Sequence, residues 1–372
     1  MRPYFGHLYS QASAYYRQIS FADEMLKQKL IETYSHNEYN PSKFNAEVNK
    51  FEQSLTDLDI RNEFAIRIKE SIEGLNYAPF IFQVFQTTWG LALMDYIQFH
   101  KCPVIIEADD DMFSVNHDNK LAGHYLNQNS QVIKIAKNAF ESADGVIVSS
   151  KHLKDQLKQY TYEDRIYVVE NGIDFDIYDN LKNNKHKSYL HIGWQGGSSH
   201  ATDLAMLENV IKPIHDKYKN VRFTFIGDAT TLSKKVKNLE RVTIETKWIP
   251  IDKFPQYIAK KGFDIQLAPM ADNLFNRSKS NLRQIQAGAM KTPVVASPTI
   301  PYKGFPCIYA ENTKESWIEA IETLIEDKEK REALGQEAYE FTKKNYSLER
   351  LAKKYHRTIQ RIVKHYNKRR AQ

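Results

Sequence analysis

Short apolar runs, each closed by polar or turn residues, recur along the chain with stretches of helical period between them. In the first half they fall at 80–85 (FIFQVF), 104–107 (VIIE), 145–149 (GVIVS) and 166–169 (IYVV), with a further candidate strand at 4–8. The four runs lead into Gln86-Thr87-Thr88, Asp109-Asp110-Asp111, Ser150-Lys151 and Asn171-Gly172. Runs that are apolar at nearly every position suit strands buried on both faces, as in a parallel sheet covered by helices. Residues 18–76 read as charged and helical, without a convincing strand.

The rhythm breaks at 174–187 (DFDIYDNLKNNKHK), a polar, Asn- and Lys-rich stretch suited to a linker. It restarts with candidate strands at 189–192, 221–226, 241–244, 264–268, 293–296 and 307–309. Leu204, Met206, Leu207, Val210, Ile211 and Ile214 mark a helix between the first two of these. At the end, Leu348, Leu351, Tyr355, Ile359, Ile362 and Tyr366 line one face of a helix that Ser347 can cap. Lys353, Lys354, Arg357, Arg361 and Lys364 fall largely on its other side. The pattern predicts two successive doubly wound α/β domains, 1–175 and 176–345, and a basic amphipathic helix over 346–372.

Composition changes this picture little. The 372 residues suffice for two cores, and 42% hydrophobic with 26% charged residues is ordinary for a globular protein. No apolar run approaches the roughly 20 residues that span a bilayer. The opening MRPYFGHLYS has no apolar segment after its arginine, so a cytoplasmic location is expected. Cys102 and Cys307 suit a reducing compartment and read as buried thiols without chemistry. Charge is more informative. Residues 342–372 hold 11 Lys and Arg against Glu349 alone, a local +10, which leaves the remainder at −4. The basic tail, 343–370, can face an anionic membrane or nucleic-acid phosphates, or be a solvated helix face.

Candidate chemistry concentrates in the second half. FNRSKSNLRQIQAGAMKTPVVAS, 275–297, follows a strand and a loop at 271–278, and places Arg277, Lys279 and Ser280 where a helix is expected to start, near Ser280. Helix starts offer unpaired backbone N–H groups, and added cations suit a diphosphate; an N-cap beside two surface cations is the alternative. GWQGGSSH, 193–200, stands likewise between a strand and a helix, and its adjacent glycines let backbone approach a ligand. In the first half, Asp109-Asp110-Asp111 closes a strand. Acceptor binding, metal ligation and turn capping are three readings of it, and its consecutive spacing suits a hard metal poorly. Arg17 can reach the strand tips from the first loop or serve in a structural ion pair. His100, His124 and His152 read as surface or loop histidines.

The ordered set IYVVENGID, HIGWQGGSSHATDL, FIGD and NRSKSNLRQIQAGAMKTPVVAS, with ADGVIVSS before it and YSLERLAKKY after it, resembles retaining GT-B glycosyltransferases. The resemblance is to a divergent branch of the family 4-like group and spans about 80–360. It implies two Rossmann-like domains facing a cleft, with the last helix crossing back to the first. It also implies a nucleotide diphosphate sugar, UDP-linked, as donor substrate, no tightly bound cofactor and no metal. With the family's cations missing after the first strand of the second domain, Lys279, Arg277 and the Gly196–Gly197 amides are expected to stabilise the leaving diphosphate, while Ser198, His200, Ser280, Asn281 and Gln286 complete the donor site. Arg17, Asp109 and Asp110 would meet the acceptor, with Asp110 also in the catalytic set. The acceptor would be a glycan, a lipid-linked sugar or a hydroxymethylated DNA base.

Three departures stand out. The family's paired glutamates correspond to Ser278 and Gln286, and its Arg and Lys after the first strand of the second domain to Gln195 and His200. SQASAYYR, 10–17, replaces its N-terminal glycine loop. A catalytically weakened nucleotide-binding module and a GT-B-like epimerase or phosphorylase are the alternatives these departures admit.

Overall fold

The structure, a computed structural model, describes residues 1–8, 14–39, 79–84, 88–115, 130–182, 184–185 and 188–372. The helical character expected for 40–76, the turn at 86–87 and His124 lie outside the described residues. The chain divides into two units: Met1–Asp111, Asn129–Asn171 and Leu348–Gln372 in one, Met112–Gln128 and Gly172–Ser347 in the other.

In the first unit β1 (Tyr4–Leu8), β2 (Ser35–Tyr39), β3 (Phe80–Gln83), β4 (Val104–Ala108), β5 (Gly145–Val148) and β6 (Ile166–Val168) form one sheet. Its order is β2-β1-β3-β4-β5-β6, parallel throughout. β4 and β5 are buried at every position, which is why they read as unbroken apolar runs. β2 was not expected. Its SHNEY sequence carries no apolar run, and as an edge strand it pairs on one side only.

The terminal helix, Leu348–Arg370, belongs to this first unit. Its periodic residues Leu351, Tyr355, Ile359 and Ile362 join Phe5, Phe21, Ile81, Ile105 and Ile147 in one core. Tyr355 stacks on Phe21 with ring centres 4.9 Å apart.

In the second unit β7 (Leu190–Gly196), β8 (Val221–Gly227), β9 (Val242–Glu245), β10 (Ile265–Ala268), β11 (Val294–Ala296) and β12 (Ile308–Tyr309) make a second parallel sheet. Its order is β9-β8-β7-β10-β11-β12. Construction therefore runs outward from β7 to β9 and resumes with β10 on the other side of β7. Trp194, Phe223 and Leu267 pack with Ile211, Ile214, Trp317 and Ile321 of the helices Glu208–Lys217 and Lys314–Glu326. Ala268 and Ala296 pack with Ile285 and Ala338 of the helices Leu282–Ala289 and Lys328–Tyr346. The stretch expected as a linker opens with a helical turn, Phe175–Tyr178, started by Asp174, whose side chain accepts from Asp176 N at 2.9 Å. Tyr178 is buried in the second core, which anchors that turn to the second unit. Among the described residues no helix is long and apolar enough to cross a membrane.

Candidate active site

In an open α/β sheet, ligands meet the carboxyl ends of strands where the strand order reverses, because the two flanking loops part there. In the second unit that place is the tips of β7 and β10. β7 closes on Gly196, whose carbonyl accepts Asp228 N at 3.0 Å. Gly227 lies opposite at φ +102°, and a Cβ there would fall 2.1 Å from Gly196 O, so only glycine fits. A Cβ on Gly196 itself would come 2.6 Å from the Trp194 ring and 3.2 Å from Arg283 Nη2. The chain then passes the exposed Gly197 and makes a tight turn, Ser198–His200, with His200 N donating to Gly197 O at 3.0 Å.

One buried carboxylate ties this turn to the loop after β10. Asp203 is fully buried. Its Oδ2 lies 2.8 Å from His200 Nδ1, and its Oδ1 accepts from Ala271 N at 2.9 Å and Asn276 Nδ2 at 2.8 Å. Three donors on one anion offset the cost of its burial. Beyond β10, Asn273 Oδ1 accepts Asn276 N at 2.9 Å and starts a short helix, Leu274–Ser278, within the stretch expected as loop. Lys279 is extended (φ −63°, ψ 163°) and breaks that helix. The next helix begins at Leu282 rather than near Ser280. Asn281 occupies the N-cap position without a side-chain cap, and its carbonyl accepts Gln284 N at 2.9 Å.

Cations gather here. Arg283 is 7% exposed; its Nε donates to Gln195 O at 3.0 Å, and its Nη1 to Tyr302 Oη at 3.2 Å and Pro269 O at 3.4 Å. Its guanidinium carbon stands 5.8 Å from the centre of the Trp194 ring. Lys279 is 6% exposed, with Nζ 4.4 Å from the centre of the Phe275 ring. Burial, and then the charges of Arg283 and Lys279, push the His200 imidazole down to about 4 against the pull of Asp203. His200 is therefore neutral at pH 7. A carboxylate can only accept, so Nδ1 carries the hydrogen and Nε2 the lone pair. Gln286 Oε1 accepts Gln195 Nε2 at 3.0 Å, both side chains being buried.

Arg277 lies apart from this group. Its Nε and Nη2 donate to the two oxygens of Asp272 at 2.6 and 2.8 Å in a forked, largely exposed pair. That guanidinium lowers the Asp272 carboxyl below its ordinary value. Sequence reasoning missed Arg283. Its helix buries every residue from Arg283 to Ala289, which only the fold reveals, and a cation within such a helix needs polar partners.

Arg17, Asp109 and Asp110 belong to the first unit. Arg17 is 1% exposed: Nη2 pairs with Glu107 at 2.9 Å, and Nη1 donates to Val169 O at 2.6 Å and Asn171 Oδ1 at 3.1 Å. Burial pushes the Glu107 carboxyl up to about 7; Arg17 opposes the rise and Asp109 adds to it. At the tip of β4, Asp109 is half-buried with its carbonyl accepting Ser149 Oγ at 3.2 Å, Asp110 is exposed, and Asp111 is buried. Among the described residues no group of three His, Cys, Asp or Glu side chains could hold a metal ion. Cys102 and Cys307 are half-buried free thiols, and burial pushes Cys307 up to about 12.

Residues 205–357 match a family model described as glycosyl transferase-like. No curated protein matches the sequence. Among solved structures, Anabaena HepE in complex with UDP and glucose aligns with a TM-score of 0.66 at 14% identity, covering 97% of this chain and 99% of that one. A mutant of S. aureus TarM in complex with fondaparinux, alpha-GlcNAc-glycerol and UDP aligns at 0.58 and 16% identity, over 78% of this chain. This chain spans 58% of TarM. A Listeria monocytogenes protein with a proposed UDP-N-acetylglucosamine 2-epimerase assignment aligns at 0.55 and 14% identity, covering 95% and 94%. The fold is GT-B. Its two parallel sheets are those the sequence motifs led us to expect.

Proposed function

We propose that this protein is a retaining glycosyltransferase that moves a sugar from a UDP-sugar to a hydroxyl of a glycan acceptor. The observation that carries this reading is the pair of buried cations, Lys279 and Arg283, beside neutral His200 at the β7 and β10 tips. The solved structures bound to UDP share this fold, and the glycosyl transferase-like match covers Lys279 and Arg283.

Breaking the bond between the anomeric carbon and the diphosphate leaves negative charge on UDP. Lys279 and Arg283 neutralise it, with the Gly196–Gly197 backbone and the start of the Leu282–Ala289 helix, near Ser280 and Asn281, as further donors. The acceptor oxygen joins the anomeric carbon on the face the diphosphate leaves, and its proton passes to a leaving phosphate oxygen. Configuration is retained without a dedicated base. Gln286, oriented by Gln195, holds a ribose hydroxyl; its neutral amide grips less firmly than the family's carboxylate. Ser198 and His200 border the donor on the β7 side. In the first unit, Asp109 and Asp110 at the β4 tip meet acceptor hydroxyls, while Arg17 orders that tip through Glu107. In this reading Arg283 takes the role that sequence motifs gave to Arg277.

The test is mass spectrometry of a UDP-sugar panel incubated with glycan acceptors. A glycoside product is expected, and Lys279→Ala should lower turnover by about 100-fold or more. Near-normal turnover of that variant contradicts the site. The epimerase likeness supplies a second reading: donor isomerised with no acceptor present would establish it in place of transfer. Bound UDP with no turnover at all would point to a nucleotide-binding module.

A further inference from the structure

The edge of the first sheet remote from its strand tips carries a surface that donor chemistry does not use. The turn at Ala143 and Asp144, just before β5, gathers three elements. Asp144 Oδ2 accepts Val104 N at 3.0 Å and Gln98 Nε2 at 3.1 Å, and Gln98 Nε2 also donates to Ser142 O at 2.9 Å. Arg369 Nη2, near the end of the terminal helix, donates to Asp144 O at 3.3 Å and Oδ1 at 3.4 Å. Arg165 Nη1 donates to Ala143 O at 3.2 Å.

Around this turn stand two aromatic rings that the fold leaves in water. Phe99, adjacent to Gln98, is 80% exposed, and Tyr162 is 61% exposed with the Arg165 guanidinium 4.4 Å from its ring centre. The outer face of the terminal helix adds exposed Arg361, Lys364 and Lys368, and exposed Arg370 near its end donates from Nη1 to Tyr366 Oη at 2.8 Å. Arg361 and Arg369 both act electrostatically on Tyr167, whose hydroxyl lies 3.3 Å from His365 Nδ1, so these charges bear on the same edge. Of the nearby acids, Asp144 is paired with Arg369 and Glu163 with Lys158, leaving Asp95, one turn before Phe99, with Glu141 and Asp164 exposed. Cations therefore predominate, flanked by two outward aromatics.

We propose that this edge is a docking surface for an anionic lipid bilayer. Long cationic side chains attract acidic headgroups, and exposed Phe and Tyr rings enter the headgroup layer, a combination that gives reversible attachment without a span. Phosphates of a nucleic acid would use the cations but would gain nothing from a solvent-facing Phe99. Attachment by this edge leaves the carboxyl tips of the same sheet, where Asp110 lies, turned away from the lipid.

The experiment is co-sedimentation of the full chain with vesicles of phosphatidylcholine, with and without phosphatidylglycerol, across a salt series. Binding is expected only with the anionic lipid and should weaken as salt rises. Phe99→Ser should weaken it by about tenfold, and the triple change Arg361→Glu, Lys364→Glu, Lys368→Glu by about tenfold or more. Both variants should keep the wild-type thermal midpoint, since these side chains are exposed. No binding to anionic vesicles overturns the proposal, as does binding that neither variant weakens. Duplex DNA binding that needs the cations but not Phe99, without vesicle binding, would assign the surface to nucleic acid instead. The readout is independent of sugar transfer, so it fails or succeeds apart from the donor reading.

Discussion

Arg277 and Arg283 lie six positions apart and have opposite surroundings. In the sequence Arg277 is the conspicuous one, a cation in a loop ahead of a helix. Asp272, five residues earlier, claims both edges of its guanidinium at the surface. Arg283 is hidden in the helix itself and becomes visible only when that helix is known to be buried. We expect Arg277→Ala to keep transfer within about threefold of wild type, since an exposed pair contributes little. Arg283→Ala should lower kcat/KM by about 100-fold, and Arg283→Lys should not restore it, because a point charge cannot reproduce the fork on Gln195 O and Tyr302 Oη. Steady-state kinetics on the three variants decides.

His200 gives a second prediction at the same scale. Its imidazole is held at about 4, below the ordinary value of 6.5, so it stays neutral while the site lacks an anion. A diphosphate beside it reverses that influence, raises its proton affinity and couples binding to proton uptake. UDP-glucose, whose diphosphate does not itself titrate in this range, should bind more tightly as pH falls from about 7 to about 5. Calorimetry in buffers of different ionisation heat should show protons taken up, and His200→Asn should lose the effect. For the free protein the sign is opposite. The stability that neutral His200 contributes is present above about 6.5 and is lost as pH falls towards 4.

At the scale of elements, legibility followed burial. β4 and β5 are apolar at nearly every position because they are enclosed, and the sequence displays them plainly, whereas β7 runs four residues past its expected end at Ile192 into the stretch read as the loop 193–200. β2 is a polar edge, so nothing in its composition announced it. The helix Leu274–Ser278 starts where Asn273 Oδ1 accepts a hydrogen bond from Asn276 N, a signal too local for periodicity to show. The terminal helix was legible because its apolar stripe is continuous, but its partners in the first sheet came only with the fold.

That helix also closes over an ionisable pair. Glu107 on β4 and Arg17 are both buried, with Gln18, Asp109 and Tyr355 around the carboxylate. Its value of about 7, raised from 4.5, means the folded state holds this proton more tightly than the unfolded chain. The associated stability is complete below about 4.5 and is lost as pH rises through 7. Glu107→Gln keeps an acceptor for Arg17 and cannot titrate. Relative to wild type it should gain up to about 3 kcal/mol between about pH 5 and pH 8, measured by denaturant unfolding. Parallel pH profiles for the two proteins would contradict this.

For the whole molecule, the order of the chain and the order of the units differ. The first unit is completed only by the last residues, whereas the second is nearly continuous. Removing 348–372 strips Leu351, Tyr355, Ile359 and Ile362 from the first core. At about 2 kcal/mol for each buried side chain, this loss rivals the entire stability of a typical domain. The truncated chain should lose protection from hydrogen exchange in the first unit while the second still binds UDP. Equal loss in both would show that the units do not fold separately.

In the proposed reading, a UDP-sugar diphosphate is held at the β7 and β10 tips. A crystal structure of the complex with UDP measures this directly. We predict diphosphate oxygens within hydrogen-bond reach of Lys279 Nζ and the Arg283 guanidinium, beside the Gly196–Gly197 backbone. A nucleotide seated elsewhere, or these two side chains directed away from its phosphates, would contradict the account.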